Sequence, residues 1–319
     1  MSVYNEPIEW LDEAINSVLR QTFTDFEFIV VNDNPERDGL KEILYKYQQL
    51  DPRIIIIEND SNVGLTRSLN KGLDIAIGKY IARMDADDIS SLDRFEKQFL
   101  FMEQHPDVIV CGTDITYIGD KGHFVYSDWI KYNDIDIRAQ MLFNSGFAHP
   151  TVFIRNSSLN ENRVRYDVIY RQAQDYRLWE QLWDLGRFAN LKEKLYYYRI
   201  SSQQISSQSS DKQFANGRLI RRRLLAKWLV SLGMVAEIPT FSKCSEILEY
   251  RKCVKKAIIN TDSKKNFISF SRLLYFSYTR CFPTLFIYAI FCGDLFSFSI
   301  KDQMRFFLIT IHLKQPVKW

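Results

Sequence analysis

The first third of the chain alternates short apolar runs with longer amphipathic segments. The runs Phe26–Val31 and Ile54–Ile57 are rich in aromatic and β-branched residues, which is typical of buried strands. Before the first run, apolar residues recur every three or four positions, as at Ile8, Leu11 and Ile15, and this period predicts a helix. Strands that alternate with helices usually form a parallel sheet, and ligands bind beyond the carboxyl ends of its strands. The pattern therefore predicts an α/β fold.

The same criteria predict further elements along the chain. Helices are expected at 40–47, 65–73, 90–105, 134–143 and 175–185, and strands at 79–84, 108–113, 115–118, 123–126, 151–154 and 195–200. Gly119–Gly122 is typical of a hairpin turn between two of these strands. The polar run Ser201–Ser210 indicates a linker. Beyond it, helices are expected at 212–232 and 243–259, followed by an aromatic-rich helical tail.

Charge is distributed unevenly along the chain. Residues 1–150 carry 14 Lys and Arg against 26 Asp and Glu, a balance of −12, and the remaining 28 and 13 give +15. A basic half that is also rich in Phe and Tyr favours contact with an anionic membrane surface. Nucleic acid is not expected as a partner, because no zinc-ligand spacing, RNA-binding strand motif or recognition-helix pattern accompanies the charge.

Cysteine usage and hydropathy predict a location. The five cysteines are widely spaced and include no Cys-x-x-Cys pair, which favours free thiols in a reducing compartment. Polar Tyr4-Asn5-Glu6 follows Met1 closely, so no signal peptide is expected. The most apolar stretch, Cys281–Cys292, is 12 residues long and too short to cross a bilayer. A cytoplasmic protein, bound peripherally at the inner face of the cell membrane, is therefore predicted.

An acidic cluster, Asp85–Asp88, directly follows the predicted strand 79–84. Three crowded carboxylates repel one another unless a cation or hydrogen-bond donors compensate their charge. Hard oxygen ligands suit Mg²⁺ or Mn²⁺, which also bind the phosphate oxygens of a substrate. The alternative is an acidic helix start, with Asp87 or Asp88 as the N-cap and Asp93 in the first turn.

Several short motifs follow one another between residues 2 and 205. They are Ser2-Val3-Tyr4-Asn5-Glu6, Asn32-Asp33, Asn62-Val63-Gly64-Leu65, Asp85-Ala86-Asp87, His149-Pro150-Thr151 and Gln174–Trp179. Each motif alone is weak, but their order and spacing resemble those of the family 2 glycosyltransferases, which use nucleotide sugars as donors. The resemblance implies the GT-A fold, a Rossmann-like mixed sheet flanked by helices, here with a C-terminal helical extension.

The resemblance also implies a division of the chain. It covers residues 1–205 as a GT-A glycosyltransferase domain, with a nucleotide-sugar-binding half at about 1–113 and an acceptor half at about 114–205. Residues 206–319 lie outside it and form a basic, aromatic-rich helical region, interpreted as a module for membrane association or oligomerisation. The alternative for this region is a solvated helix face over an ordinary helical core.

Individual residues inherit roles from the resemblance. Asp33 matches the residue that accepts a hydrogen bond from the donor's uracil ring, and its alternative is an Asx turn. Asp87 matches the direct ligand of Mn²⁺ or Mg²⁺, and Asp85 a residue that binds the ribose or bridges to the metal. Asp175 matches the general base that accepts the acceptor's proton, and its alternative is a helix N-terminal charge. The other nucleotide-sugar-binding positions are Tyr4, Glu6, Asn62 and Arg67. Arg67 fits a solvated helix residue equally well.

The predicted function is inverting, metal-dependent transfer of one sugar from a nucleotide sugar, expected to be a UDP-sugar, to a hydroxyl group. The acceptor is expected to be a glycan or a lipid-linked molecule in surface polysaccharide biosynthesis. Gln174 replaces the Glu that relatives carry before the base, and Ser201-Ser202 stands where they often carry a His. The alternatives are a catalytically degenerate sugar-nucleotide-binding protein and a nucleotidyltransferase, which would be expected to carry a Gly-rich basic phosphate loop near the N-terminus.

Overall fold

The computed structural model describes residues 1–119, 124–125, 130–200, 211–236, 243–258, 266–268, 270–271 and 274. These residues divide into two compact units, one drawn from residues 1–133 and 146–213 and the other from residues 134–145 and 214–319. In chain order the elements are β1 (Ser2–Val3), α1 (Ile8–Leu19), β2 (Phe28–Asn32), α2 (Leu40–Leu50), β3 (Ile54–Glu58), α3 (Leu65–Ile75), β4 (Tyr80–Ala82), β5 (Ile89–Ser90), α4 (Arg94–Gln104), β6 (Val108–Gly119), β7 (Phe124–Val125), α5 (Asp134–Met141), a 3₁₀ turn (His149–Thr151), β8 (Phe153–Arg155), α6 (Asn156–Asn160), α7 (Gln174–Leu182), β9 (Arg187–Ile200), α8 (Asp211–Ser231) and α9 (Cys244–Ala257).

The strands of the first unit form two sheets. β1, β2 and β3 form a parallel sheet in which Val31 lies opposite both Ser2 and Ile57. The second sheet has the order β4-β8-β6-β9-β5, and β7 pairs with the end of β6 as the second strand of the predicted hairpin. The predicted α/β architecture, a mixed sheet flanked by helices, is confirmed.

The parallel sheet expected from the alternating pattern is limited to β1–β3. β4 pairs antiparallel with β8, from Tyr80 opposite Arg155 to Ala82 opposite Phe153. β8 is also antiparallel to β6, whereas β6 and β9 run parallel over most of their length. The sequence pattern did not predict the antiparallel pairing of β4 with β8. The periodicity of one strand does not encode the direction of a partner strand about 70 residues away in the chain.

The helix predicted at 90–105 begins at Arg94. β5 precedes it and pairs antiparallel with β9, which separates the acidic cluster from the helix. Asp93 occupies the N-cap position of α4. Asp87 and Asp88 lie instead in the turn between β4 and β5, so the helix-start alternative is wrong for both.

A fully buried arginine of α4 fixes the end of β4. Arg94 donates from Nη2 to the carbonyl of Arg83 at 2.9 Å and from Nη1 to the carbonyl of Pro150 at 3.2 Å. Its guanidinium lies 4.9 Å from the ring centroid of Phe95 and 5.1 Å from that of Tyr196. Burial lowers the pKa of Arg94 to about 10, which leaves it charged at neutral pH. Arg94 therefore fixes the backbone that leads into the acidic turn from the interior of the protein.

The second unit is mostly helical in its described part. The helices predicted at 212–232 and 243–259 are confirmed to within two residues at each end, as α8 and α9. α8 buries an apolar stripe that includes Leu224 and Trp228, and it exposes Arg222 and Arg223. Most of the aromatic-rich tail predicted after α9 lies outside the described residues. Across the described part of the chain, no helix combines the length and hydropathy needed to span a membrane.

A cavity of about 660 Å³ lies between β2 and β4 in the first unit. Residues 26–29 line one side and residues 79–84 the other, while side chains of α3 and α4, including Leu69 and Phe95, close its faces. β4 is an edge strand of its sheet among the described residues. Met1 already pairs with β2 at the mouth of the cavity, donating from its amine to the carbonyl of Ile29 at 2.8 Å. The cavity therefore has room for an extended, apolar segment between β2 and β4.

We expect an engineered extension of five apolar residues (Ile-Val-Ile-Val-Ile) before Met1 to continue β1 into this cavity. Each buried side chain stabilises by about 1.5–3 kcal/mol, and ordering each residue costs about 1–2 kcal/mol. A net gain of a few kcal/mol should raise the unfolding temperature by about 5 °C or more. Differential scanning fluorimetry measures this change. A Gly-Ser extension of the same length is the control, and an equal response to both extensions would contradict the prediction.

Candidate functional site

Three strands end side by side at the rim where the sequence predicted a nucleotide site. Asp33 donates its N–H to the carbonyl of Val3 at 2.8 Å, and Asn59 donates its N–H to the carbonyl of Asn32 at 3.0 Å. The segments that follow β1, β2 and β3 are therefore neighbours, as expected for parallel strands. The turn Tyr4–Glu6, the Asp33 side chain and the loop 59–64 occupy this rim together.

The Asp33 carboxylate anchors the loop before α3. Its Oδ1 accepts hydrogen bonds from Asn59 Nδ2 at 2.7 Å and from the N–H of Val63 at 2.8 Å. Its Oδ2 accepts one from the N–H of Gly64 at 2.9 Å. Asp33 is only 2% exposed, and Gly64 has a φ of +86°, a conformation that favours glycine. An ionised carboxylate can accept about four hydrogen bonds, so three internal donors leave room for one from a ligand.

Asx turns at this rim belong to other residues. Asn32 Oδ1 accepts the N–H of Asn34 at 3.0 Å, and Asn62 Oδ1 accepts the N–H of Gly64 at 2.9 Å. Asn62 is otherwise exposed to solvent. Arg67 is exposed in the first turn of α3, and no described contact joins its side chain to the other predicted site residues.

Tyr4 and Glu6 form a compact turn after β1. Glu6 Oε2 accepts the N–H of Tyr4 at 2.9 Å, and the carbonyl of Tyr4 accepts a bond from Asn34 Nδ2 at 3.1 Å. Arg37 Nη1 donates to the carbonyl of Glu6 at 2.9 Å, while the ring of Tyr4 stays 44% exposed. Burial raises the pKa of Glu6, and the charge of Asp85 raises it further. Glu6 therefore lies within electrostatic reach of the acidic turn.

The acidic turn is tied to the end of β9. The N–H of Arg199 donates to Asp88 Oδ1 at 2.7 Å, and Arg199 Nε donates to the carbonyl of Asp87 at 2.7 Å. Asp88 is 1% exposed, and burial, with the charges of Asp87 and Asp85, raises its pKa well above the usual range. Asp88 thus acts as a clamp inside the protein, whereas Asp85 and Asp87 stay half-buried at the surface of the turn.

Asp85 is held by two further contacts. Arg83 Nη2 forms an ion pair with Asp85 Oδ1, and the N–H of Asp85 donates to the hydroxyl of Tyr196 at 3.2 Å. The side chain of Arg83 is 5% exposed and that of Asp85 is 29% exposed. The arginine therefore meets the carboxylate from the interior of the protein.

Arg199 is a site residue that the sequence interpretation missed. It is 3% exposed, its Nη2 donates to Glu13 Oε2 at 2.5 Å, and its guanidinium lies 4.8 Å from the ring of Trp10. It thereby links β9, α1 and the acidic turn. The sequence contained a clue to Arg199, because it is the one charged residue in the otherwise uncharged strand segment 195–200.

The acidic turn offers carboxylate oxygens, which are suitable ligands for a divalent cation. Among the described residues, no group of three or more His, Cys, Asp or Glu is arranged to hold a metal ion. Asp85 and Asp87 nevertheless supply two carboxylates, and Mg²⁺ is usually bound by one or two carboxylates together with substrate phosphates and water. Arg83 pairs with Oδ1 of Asp85, one of the two carboxylates that the turn offers.

Asp175 is the second residue of α7. The N-cap position of this helix is Ala173, so Asp175 is not the N-cap itself. Burial raises the pKa of the Tyr166 hydroxyl, and the charges of both Asp175 and Asp85 raise it further. Tyr166 therefore lies within electrostatic reach of both carboxylates.

Tyr166 is fixed in place from both sides. Its N–H and carbonyl bond to Asn70 Oδ1 and Nδ2 at 2.9 and 2.8 Å, and its hydroxyl bonds to His149 Nε2 at 2.8 Å. The His149 ring lies 6.1 Å from that of Trp179 in a T-shaped arrangement. Burial, with the charge of Arg83, lowers the pKa of His149 well below its usual range. His149 is therefore neutral at physiological pH, and it packs against Trp179.

Comparison with known proteins identifies the family of the chain. The family model "Glycosyl transferase family 2" matches residues 1–163, half of the chain. An uncharacterised glycosyltransferase of Methanocaldococcus jannaschii is 37% identical over 202 residues, which are 63% of this chain and 69% of that protein. The amylovoran biosynthesis glycosyltransferase AmsE of Erwinia amylovora is 32% identical over 209 residues, 65% of this chain and 77% of that protein.

Solved structures show the same fold. The crystal structure of S. aureus TarS 1–349 in complex with UDP-GlcNAc superposes with a TM-score of 0.60 over 86% of this chain and 84% of that chain, at 18% identity. This likeness confirms the predicted GT-A fold. The family match and the relatives of 30% identity or more show that the chain belongs to glycosyl transferase family 2 and is a glycosyltransferase.

Proposed function

We propose that this glycosyltransferase moves one sugar from a UDP-sugar to a hydroxyl group of a glycan or lipid-linked acceptor, with inversion at the anomeric carbon. The observation that supports the proposal is that Tyr166 lies within electrostatic reach of both Asp85 and Asp175. We infer that a candidate for donor binding and a candidate general base serve one site, as a direct displacement requires.

Surface polysaccharide assembly is the proposed setting. AmsE is named for amylovoran biosynthesis, and the E. coli relative WbnJ, 32% identical over 204 residues, for O-antigen biosynthesis. The UDP-GlcNAc complex of TarS supports a UDP-sugar as the donor class. In the donor pocket, Asp33 would accept a hydrogen bond from the base, and Tyr4, Glu6 and Asn62 would line the same rim. Arg67 stays a candidate only for the outer edge of that pocket.

Catalysis would be divided between two carboxylate groups. Asp175 would accept the proton of the acceptor hydroxyl as its oxygen attacks the sugar. Asp87, supported by Asp85, would hold Mn²⁺ or Mg²⁺, which offsets the negative charge of the departing diphosphate. Arg199 and Asp88 would keep the turn that carries Asp85 and Asp87 rigid, because they tie it to β9.

The proposal extends to the rest of the chain. Residues 1–205 would form the catalytic domain, and the basic region 206–319 would associate with an anionic membrane surface at the inner face of the cell membrane. The exposed Arg222 and Arg223 of α8 support this, since basic residues near an anionic bilayer each contribute about 1 kcal/mol of attraction. A lipid-linked acceptor would then lie close to the enzyme.

Donor hydrolysis tests the proposed activity without a known acceptor. The purified protein would be incubated with UDP-GlcNAc, UDP-Glc or UDP-Gal and Mn²⁺, and the products separated by ion-exchange chromatography. We expect slow release of UDP and free sugar from at least one donor. Binding of a donor with no release of UDP would favour a degenerate binding protein, and conversion to UTP and sugar 1-phosphate in the presence of pyrophosphate would favour a nucleotidyltransferase.

A further inference from the structure

Arg83 has an unusual position for a buried arginine. Its backbone is fixed, because its N–H donates to the carbonyl of Val152 at 2.9 Å and its carbonyl accepts the bond from Arg94. Its side chain forms the ion pair with Asp85, two residues along the chain. Both ends of the residue are therefore held, and the guanidinium lies beneath the acidic turn.

The remaining hydrogen-bond donors of Arg83 indicate that it does not serve stability alone. Its Nε and Nη1 are buried without a partner among the described residues. Leaving buried donors unsatisfied costs free energy, and a purely structural arginine usually satisfies them. Arg94 differs in degree: both of its terminal nitrogens donate to backbone carbonyls, and only its Nε lacks a partner among the described residues. The contact that Arg83 does make is with Asp85.

The charge of Arg83 matters at a site that is to receive a diphosphate. Asp85, Asp87 and Asp88 crowd one turn, and crowded carboxylates repel one another unless their charge is compensated. A guanidinium is protonated at any physiological pH, so the charge of Asp85 is permanently compensated. A compensated Asp85 repels an incoming diphosphate less than a bare carboxylate would.

We propose that Arg83 is a positioning residue for donor binding that acts through Asp85. It holds Oδ1 of Asp85 from the interior, which directs the exposed side of the carboxylate toward the donor, and it compensates the charge of Asp85 when a nucleoside diphosphate binds. The inference rests on the proposed function, because it assumes a nucleoside diphosphate as the ligand of this rim.

The chain contains a matched control pair. Arg53 and Asp51 have the same two-residue spacing, with Arg53 Nη2 2.7 Å from Asp51 Oδ2 and Nε 3.0 Å from Oδ1. This pair precedes β3, at the opposite end of the sheet from the donor rim, and its side chains are 24% and 18% exposed. Arg53→Met therefore removes an ion pair of the same spacing away from the site, together with the bond from Arg53 Nη2 to the carbonyl of Leu19.

A double-mutant cycle tests the inference. UDP affinity in the presence of Mn²⁺ would be measured by calorimetry for the wild type, Arg83→Met, Arg83→Lys, Asp85→Ala, Arg83→Met/Asp85→Ala and Arg53→Met. We expect Arg83→Met to weaken UDP about tenfold and Arg83→Lys to recover part of the loss. In the Asp85→Ala background, Arg83→Met should change the affinity by less than about twofold, because its partner is already absent. Arg53→Met should bind as the wild type does.

Other outcomes would overturn the inference. An equal loss from Arg83→Met with and without Asp85 would show that the arginine acts on the ligand directly, and no loss would show that it has no role in binding. If Arg83→Met does not unfold cooperatively, Arg83→Lys and Arg83→Lys/Asp85→Ala form the cycle instead. Failure of the proposed function is distinguishable, because it would appear in the wild type as an absence of UDP binding and would overturn both.

Discussion

Asp87→Asn should lose most of its metal-dependent turnover while the protein stays folded. A neutral amide is a much poorer ligand for Mg²⁺ or Mn²⁺ than a carboxylate, so the charge that offsets the leaving diphosphate would be lost. We expect UDP release to fall by about 100-fold or more, the size of effect seen when one such electrostatic group is removed. The fold should persist because the contact between Arg199 Nε and residue 87 uses the backbone carbonyl, which the substitution keeps.

The measurement is a Mn²⁺ titration of UDP release, with the unfolding temperature recorded in parallel. Asp93→Asn is the matched control, because Asp93 is a carboxylate six residues further on that pairs with Lys97 at 2.8 Å and is 38% exposed. Exposed pairs of this kind contribute about 0–1 kcal/mol, so turnover should stay near that of the wild type. Near-normal turnover of Asp87→Asn, or of the wild type in excess EDTA, would exclude the proposed metal role.

Local sequence pattern predicted α1, α2, α3, β2 and β3 because each of them buries one face. In α1, Leu11, Ala14, Ile15 and Val18 are buried at helical spacing, as the apolar period indicated. The apolar runs of β2 and β3 predicted both strands equally clearly. Their parallel pairing then places the polar residues that follow them at one rim. What the pattern could not supply was pairing between distant segments, as in β4 with β8.

In the candidate site, too, the sequence predicted individual residues but not the contacts between distant ones. The motifs identified Asp33 and Gly64 separately, but not that the carboxylate accepts the N–H of the glycine across about 30 residues. Asp88 was interpreted as a helix cap, although its partner is the N–H of Arg199, 111 residues away. Contacts of this length depend on sheet register, which no local pattern encodes. The resemblance to a known family supplied the predicted roles of the site residues, and the structure shows which groups bond to them.

Asp175→Asn should separate a general base from a charge that only stabilises a helix. The substitution keeps the shape of the side chain and abolishes its basicity. Because a base acts on the attacking hydroxyl alone, we expect UDP-sugar affinity to stay within about threefold of the wild type. Transfer to the acceptor, or to water, should fall by about 100-fold or more. Calorimetry measures the first quantity and UDP release the second.

A helix charge would behave differently. Loss of a favourable charge near a helix N-terminus lowers stability by about 0.3–1 kcal/mol and should leave turnover per folded molecule unchanged. Asp184→Asn, at an exposed position just beyond α7, is the control for a loss of charge outside the site. Direct displacement with Asp175 as the base also requires inversion, so an α-linked donor should yield a β-linked product by NMR. An α-linked product, or full turnover of Asp175→Asn, would contradict the mechanism, because neither is compatible with a single displacement that this carboxylate promotes.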